Sequence, residues 1–213
     1  MSYFDLHTHQ QPVHAEDRAI INQIVGRERQ LLDNDRGYCS CGIHPWYIDC
    51  VEDQLRELRE LALRPACVAI GEAGFDTYAT ATMEEQQQVF VAQVRLSEEL
   101  RKPLIIHCVK AWAALIACRK SLKPQMPWVI HGFRGNAELA AQLIRLGFYL
   151  SFGARFNTLA LRVAWPDRLF VESDDQAIDI RCVYQNIAEA LGVPMEKLCG
   201  QIGKNLSILH LGE

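Results

Sequence analysis

The stretch TMEEQQQVFVAQVRLSEELRKPLIIHC, residues 82–108, predicts a helix followed directly by a strand. Thr82 and Glu85 have the spacing of a capping box, in which the two side chains satisfy free N–H groups at a helix start. Apolar residues then recur at roughly helical intervals, at Val89, Phe90, Val94 and Leu100. The short apolar run Leu104–His107 follows. A helix that leads into a short buried strand is the repeating unit of α/β proteins.

Similar apolar runs recur along the whole chain, and each is followed by a polar or glycine-rich loop. Eight of them can be identified: Tyr3–Leu6, Ile20–Val25, Tyr38–Gly42, Cys67–Gly71, Leu104–His107, Trp128–His131, Phe148–Phe152 and Leu169–Val171. Short continuous apolar runs are typical of parallel strands that are buried on both faces. The sequence therefore predicts eight parallel strands.

Helical segments separate most of these strands. The segment VEDQLRELRELALR has helical periodicity, GNAELAAQLIRLG begins at the N-cap residue Asn136 and ends at Gly147, and Gly192 and Pro194 separate two further helices. Eight strands that alternate with helices predict an α/β fold, the (β/α)8 TIM barrel. Only about a dozen residues connect the first three strands, barely enough for a crossover helix. We therefore expect a barrel trimmed of one or two helices in its N-terminal third.

The composition suits one globular domain, and we expect that domain to span residues 1–213. The N-terminus has no basic segment followed by an apolar one, and no apolar run approaches the roughly 20 residues of a membrane helix. These features predict a cytoplasmic protein that does not bind membranes. The net charge of −4 offers no extended basic face for long duplex DNA, so any nucleic-acid partner should be a strand end or a short piece.

The eight cysteines are scattered along the chain, which favours reduced thiols over a disulfide framework. One local group, Cys39, Cys41, His44 and Cys50, could in principle bind zinc. Its Cys-x-Cys spacing is unusual for a zinc knuckle, and YCSCGI is also typical of a buried strand in which cysteine acts as a small hydrophobe.

Polar residues that could bind metal follow the predicted strands at their carboxyl ends. They include five of the seven histidines and two carboxylates: His7, His9, His44, Glu72, His107, His131 and Asp174. In a (β/α)8 barrel the carboxyl ends of the strands carry the reactive residues. Any one such histidine could be structural, but five independent structural histidines would not be expected at the same end.

This set predicts a two-metal hydrolytic site with two divalent ions, Mg, Mn or Zn, in which Glu72 bridges both ions. Four histidines together with Glu72 and Asp174 would complete the ligand set of such a centre. Such a pair activates a water, and Asp174 is suited to accept its proton, so we expect Asp174 and Glu72 to be catalytic. We expect His44 to contact substrate and not metal; the alternative is that it only packs in its loop.

The same segments resemble the TatD family of metal-dependent hydrolases, within the amidohydrolase-like barrels. The matching segments cover almost the whole chain: DLHTH, GIHPW, AIGEAGFD, EQQQVFVAQVRLSEELRKPLIIHC, VIHGFRG, LSFG and ESD. The resemblance implies that the metal ligands are His7, His9, Glu72, His107, His131 and Asp174, and we expect them to converge on one dinuclear centre. It also implies a magnesium-dependent deoxyribonuclease or phosphodiesterase activity, often from a 3′ end.

The sequence departs from the family pattern around the expected substrate site. The chain is short between His9 and Tyr38, Val109 stands where the family has an arginine, Arg134 stands where it has serine or threonine, and the proline after the strand-eight acid is absent. Three cations, Lys110, Arg134 and Arg155, follow strands five, six and seven. We expect them to form a short anion-binding track; the alternative is that they are ordinary solvated charges.

Three functions fit these observations. The first is a phosphodiesterase or deoxyribonuclease that acts on DNA ends or short oligonucleotides through a two-metal-activated water. The second is a hydrolase of a small amide, lactone or phosphate ester on the same centre. The third is a metal-binding scaffold without catalysis. Glu72 favours the first, because two-metal amidohydrolases often bridge their ions with a modified lysine instead.

Overall fold

The structure is a computed structural model that describes residues 2–27 and 37–209. It contains eight parallel strands whose order in the sheet is their order in the chain. The strands are β1 (Phe4–Thr8), β2 (Arg18–Ile24), β3 (Tyr38–Gly42), β4 (Cys67–Asp76), β5 (Leu104–Val109), β6 (Trp128–Ile130), β7 (Phe148–Phe152) and β8 (Leu169–Val171).

Seven α-helices occur in the described ranges: α1 (Val51–Ala62), α2 (Met83–Leu100), α3 (Trp112–Leu122), α4 (Ala137–Arg145), α5 (Thr158–Ala164), α6 (Ile180–Leu191) and α7 (Met195–Leu206). Short 3₁₀ turns cover Pro45–Tyr47 and Ser207–Leu209. None of the helices formed by the described residues has both the length and the apolar character needed to cross a bilayer.

The predicted strands are all present, and three of them, β3, β7 and β8, have the predicted bounds. The main difference is β4, which continues to Asp76, beyond the predicted end at Gly71. Its glycines suggest a loop in the sequence, but here they allow close packing. A Cβ on Gly74, whose φ is +151°, would lie 1.9 Å from the carbonyl oxygen of His107 on β5. Only glycine fits such an approach.

The helix signals are also confirmed. The Thr82 hydroxyl accepts from the Glu85 N–H at 3.3 Å, and a Glu85 carboxylate oxygen accepts from the Thr82 N–H at 2.7 Å. Asn136 caps α4 through the Leu139 N–H, and Gly192 ends α6 with φ +69°. The first crossover, residues 9–17, contains no helix, as predicted. The second includes residues 28–36, which lie outside the described residues.

The chain divides into two compact units. The first comprises Met1–Ile21 and Ile130–Glu213, and the second comprises Asn22–Val129. The expectation of one domain over residues 1–213 is not tested by this division and stays a prediction.

Each unit has its own buried aromatic core. In the first, Phe133 packs edge-on against Phe152, with ring centroids 5.7 Å apart. In the second, Phe90 contacts both Phe75 and Trp128, at 4.9 and 5.3 Å. These rings are fully buried. Strands and helices form where apolar side chains can be buried in such a core. This is why apolar runs and the apolar faces of helices predict their positions.

All eight cysteines are free thiols, as predicted. Cys41 is buried within β3, and its sulfur contacts the sulfur of Cys67 on β4 at 3.0 Å. Cys50 is exposed just before α1. Among the described residues, no group of potential metal ligands includes a cysteine. The alternative zinc knuckle of Cys39, Cys41, His44 and Cys50 is therefore wrong, because the two strand cysteines pack as small hydrophobes.

Candidate functional site

The first unit contains a group of potential metal ligands, the Asp174 cluster, formed by His7, His131 and Asp174. An Asp174 carboxylate oxygen, Oδ1, lies 3.8 Å from His7 Nε2 and 4.0 Å from His131 Nδ1. His9 is adjacent, with its Nε2 3.9 Å from the same oxygen. Ligand atoms about 2.1 Å from a divalent ion lie roughly 3–4 Å from one another. The spacing therefore suits one bound cation.

The backbone of Asp174 is fixed against β1. Its N–H donates to the carbonyl oxygen of His7 at 2.9 Å, and its carbonyl oxygen accepts from the His9 N–H at 3.1 Å. Asp174 has a φ of +61°, a left-handed conformation that is uncommon outside glycine. The pairing of β1 with β2 shifts register between Asp5 and Thr8, which indicates a bulge around His7. Such irregularities are typical of backbone that places a functional side chain.

Glu172, which the sequence analysis missed, lies behind this cluster. It is 0% exposed, and its Oε1 accepts from the Gly132 N–H and lies 3.6 Å from His131 Nδ1. Among the described residues, no hydrogen-bond donor contacts its second oxygen, Oε2. A buried carboxylate oxygen without a hydrogen-bond donor lowers the stability of the folded protein unless a nearby cation compensates its charge. The environment of the cluster therefore fits a bound cation.

Asp5 does not belong to the ligand group. It is buried and accepts hydrogen bonds from Ser173, at 3.0 Å from the N–H and 2.6 Å from the hydroxyl. Burial raises the pKa of Asp5 to about 7, although the two hydrogen bonds act against this rise. Asp5 therefore holds Ser173, the residue that precedes Asp174, and this role explains why an aspartate occurs in the DLHTH segment.

The second unit contains another group of potential ligands, the Glu72 cluster, formed by His44, Glu72 and His107. Glu72 Oε1 lies 2.7 Å from His107 Nδ1 and 3.4 Å from His44 Nε2. The β4–β5 register shifts between Ile70 and Ala73, so Glu72 lies at a β-bulge and not at the end of its strand. A bulge re-aims the side chain it carries, which suits a functional carboxylate.

Asp76, the last residue of β4, supports this cluster. Its Oδ2 lies 3.0 Å from His107 Nε2, so both ring nitrogens of His107 contact a carboxylate. Burial alone would raise the pKa of Asp76, but hydrogen bonds from His107, the Tyr78 N–H and Trp46 outweigh it and lower the pKa below its usual value. A ligating imidazole commonly donates its other N–H to a carboxylate, and His107 has such a partner.

Asn22 on β2, also missed from the sequence, fixes Glu72 from the other side. Its amide nitrogen donates to Glu72 Oε2 at 3.1 Å, and its amide oxygen accepts from the Glu72 N–H at 3.0 Å. Ser40 donates to the same amide oxygen at 3.2 Å. A buried asparagine inside the apolar run Ile20–Val25 was the only sign of this role in the sequence.

His44 is oriented by its own turn. The Trp46 N–H donates to His44 Nδ1 at 3.1 Å. In the neutral ring this places the proton on Nε2, the nitrogen that faces Glu72. That nitrogen is then a hydrogen-bond donor and not a metal ligand, which supports the expectation that His44 is a neighbour of the metal. The expectation itself stays a prediction.

Two buried glutamines on α2 hold the loops that carry these residues. Gln93 accepts from the Ile43 N–H at 2.8 Å and donates to the Ile43 carbonyl at 3.0 Å, directly before His44. Gln86 makes the same pair of contacts with the backbone of Asp76, at 2.8 and 3.0 Å. The apolar periodicity of α2 gave no indication of this second function of the helix.

The three cations of the expected anion track are all exposed. Lys110 donates to the hydroxyl of Tyr78, and its Nζ lies 4.9 Å from the centre of the Tyr78 ring. Arg134 follows β6 and Arg155 follows β7, as expected. The track itself stays a prediction.

The structure thus brings seven of the predicted site residues into two groups. His7, His9, His131 and Asp174 lie together in the first unit, and His44, Glu72 and His107 lie together in the second. The convergence of six ligands on one dinuclear centre stays a prediction.

Comparison with known proteins identifies relatives over most of the chain. The family model described as TatD related DNase matches residues 19–209. The uncharacterized metal-dependent hydrolase YcfH of Escherichia coli K12 is 33% identical over 188 residues, which cover 78% of this chain and 71% of YcfH. The 3′-5′ ssDNA/RNA exonuclease TatD of Cronobacter turicensis is 33% identical over 154 residues, covering 65% of this chain and 59% of that protein.

Solved structures show the same fold. The crystal structure of YJJV, a TatD homolog from Escherichia coli K12, matches with a TM-score of 0.83 over 97% of each chain at 20% sequence identity. A TatD family hydrolase from Entamoeba histolytica matches with a TM-score of 0.79 at 16% identity, over 99% of this chain and 98% of that one. The predicted (β/α)8 TIM barrel is confirmed.

Proposed function

Since this chain belongs to the TatD family and is a metal-dependent hydrolase, we propose that it hydrolyses phosphodiester bonds at the ends of single-stranded DNA or in short oligonucleotides. The observation that carries the proposal is that each unit holds a group of histidines and a carboxylate whose potential ligand atoms all lie within 4.8 Å of one another. We propose one divalent ion, Mg, Mn or Zn, for each cluster.

The proposed ligands are drawn from the two clusters, with His9 added to the first and with His44, which we propose to contact substrate, left out of the second. His7, His9, His131 and Asp174 would hold the first ion, and Glu72 and His107 would hold the second. Bound divalent cations would supply Lewis acidity and an activated water at neutral pH. Glu172, behind His131, would balance the charge of the first ion, and Asn22 and Asp76 would orient the ligands of the second.

The side chains of this protein then have distinct roles in hydrolysis. Asp174 accepts the proton of the attacking water, and its backbone bonds to β1 hold the carboxylate in place during this transfer. His44, whose Nε2 faces Glu72, contacts the substrate beside that carboxylate. Lys110, Arg134 and Arg155 bind phosphate oxygens, and the guanidinium groups can contact two oxygens at once.

Two observations support a short nucleic-acid substrate. The relative from Cronobacter turicensis is named as a 3′-5′ exonuclease for ssDNA and RNA. The net charge of −4 does not suit long duplex DNA, whose backbone binding requires a basic surface. The eight free thiols support a reducing compartment, and we propose the cytoplasm.

The second candidate is a hydrolase of a small amide, lactone or phosphate ester on the same clusters. It is favoured by Val109 and Arg134, which stand where related sequences are expected to have an arginine and a small hydroxyl residue. These changes alter the substrate surroundings and leave the candidate ligands in place.

One assay separates the two candidates. The purified protein is stripped with a chelator, reloaded with Mg²⁺, Mn²⁺ or Zn²⁺ in turn, and given an end-labelled single-stranded oligonucleotide, a simple phosphate monoester, a lactone and an amide. The proposal predicts metal-dependent release of mononucleotides and much slower reaction of the lactone and amide. Turnover of the small substrates alone would favour the second candidate, and no turnover with any metal would leave a metal-binding scaffold.

A further inference from the structure

Two exposed aromatic side chains flank the Glu72 cluster. Trp46 is 54% exposed and Tyr78 is 64% exposed, and the other aromatic side chains of the described part of the chain are buried or half-buried. Trp46 follows His44 by two residues, and Tyr78 follows Asp76 by two. Isolated exposed apolar residues are normal on protein surfaces. Here, however, both aromatic residues are bonded to a residue that contacts a candidate metal ligand.

That residue is Asp76. The indole N–H of Trp46 donates to Asp76 Oδ2 at 2.7 Å, and the backbone N–H of Tyr78 donates to Oδ1 at 2.8 Å. The same Oδ2 contacts His107 Nε2 at 3.0 Å. Asp76 is 1% exposed, so this carboxylate is a fixed point. The Trp46 ring is therefore solvent-exposed but held in position. A ligand that packs on it would cause little further loss of side-chain conformational entropy.

The chemistry of these side chains suits a flat aromatic ligand beside an anion. The only N–H group of the indole is used by Asp76, so Trp46 offers the faces of its ring and no hydrogen-bond donor. Lys110 lies against the Tyr78 ring and brings a positive charge next to it. Aromatic rings beside a cation are the elements from which proteins build platforms for single-stranded nucleic acid, where bases stack and phosphates bind the cation.

We propose that Trp46 and Tyr78 form a stacking subsite for the nucleobases next to the bond that is cleaved, with Lys110 on the adjoining phosphate. This inference rests on the proposed function and specifies the substrate as nucleic acid with its bases present. Stacking tolerates any base, so the subsite selects single-stranded ends without selecting a sequence.

The test compares two substrates that differ only in their bases. One is a single-stranded oligonucleotide with normal terminal nucleotides, and the other has the same backbone with abasic terminal nucleotides. Replacing Tyr78 by Ala removes the ring but keeps its backbone hydrogen bond to Asp76, and W46F keeps a ring where W46A removes it. W46A also removes a hydrogen bond from Asp76, which should affect both substrates alike. We therefore expect Y78A and W46A each to raise KM for the normal oligonucleotide about tenfold more than KM for the abasic one. W46F keeps a ring but loses the hydrogen bond to Asp76, so its KM for the normal oligonucleotide should lie between those of the wild type and W46A.

Tyr149→Ala is the matched control, because Tyr149 on β7 also has a cation over its ring, Arg168 at 4.4 Å, but is not part of the proposed subsite. It should affect neither substrate. Binding of both oligonucleotides to a D174N background gives a second readout that does not need turnover. Equal effects of W46A and Y78A on the two substrates, or no effect on either, would overturn the subsite while hydrolysis by the wild type upholds the proposed function. A wild type that neither binds nor cleaves either oligonucleotide would overturn both.

Discussion

Asp174 is bonded to His7 through its backbone and faces it with its side chain. The Asp174 N–H donates to the His7 carbonyl oxygen at 2.9 Å, and the carboxylate lies 3.8 Å from His7 Nε2. The residue that we propose as the base is thus fixed by main-chain contacts to the strand that supplies a ligand. Such preorganisation costs no rearrangement when the reaction takes place.

The D174N variant should lose turnover and keep its fold. Asparagine has the same shape and keeps the backbone bond to His7, but it cannot accept the proton of the water. We expect kcat to fall by a factor of about 10²–10⁴, the usual contribution of a general base. Steady-state kinetics and thermal unfolding measure the two effects. Activity within twofold of the wild type would remove Asp174 from the mechanism.

Glu172→Gln should have opposite effects on the metal-free and metal-loaded protein. Removing an uncompensated buried charge should stabilise the chelated protein by about 1–3 kcal/mol. Loss of the same charge should weaken metal binding by about 10–100-fold. Urea unfolding in chelator and calorimetric metal titration give the two numbers. A variant that is less stable without metal and binds metal normally would show that Glu172 is only structural.

Glu72→Gln should reduce metal binding more strongly than Glu172→Gln, because Glu72 is proposed as a direct ligand. The amide can still contact Asn22, so we expect a folded protein that retains one ion fewer than the wild type. Elemental analysis after dialysis measures the metal content. Glu60→Gln, an exposed position on α1, is the control and should retain the full content. Full metal content in E72Q would exclude Glu72 as a ligand.

The loop before His44 should depend on Gln93. The Gln93→Leu change leaves the N–H and carbonyl of Ile43 buried and unsatisfied, and we expect a loss of about 3 kcal/mol in the free energy of unfolding. Gln142→Leu on the exposed face of α4 should change it by less than about 0.5 kcal/mol. Equal losses in the two variants would show that the contacts of Gln93 with Ile43 contribute little.

The fold and the ligand groups follow from local patterns, whereas the supporting residues do not. Apolar runs mark the strands because each must be buried on both faces, and His7, His44 and His107 stand out because a polar residue at such a strand end has few structural reasons to be there. The end of β4 was misjudged because Gly74 is read as a loop signal, although its close approach to β5 is decided by tertiary packing.

The missed residues share one property. Asn22, Asp76, Gln93 and Glu172 are buried polar side chains within or beside apolar segments, and their partners lie far away in the sequence. A hydrophobic period of two or 3.6 residues identifies the buried face of a strand or helix. It does not identify the backbone group or carboxylate with which a buried polar side chain forms a hydrogen bond. Their roles became visible only with the contacts.

Each unit should bind one divalent ion, and anomalous diffraction from crystals soaked in Mn²⁺ locates and counts the bound ions. We predict two manganese peaks in each chain, one bounded by His7, His131 and Asp174 and the other by Glu72 and His107, with His44 Nε2 outside the roughly 2.1 Å coordination distance of nitrogen. A single peak, a peak away from both clusters, or an ion bound directly by His44 in place of His107 would contradict this account.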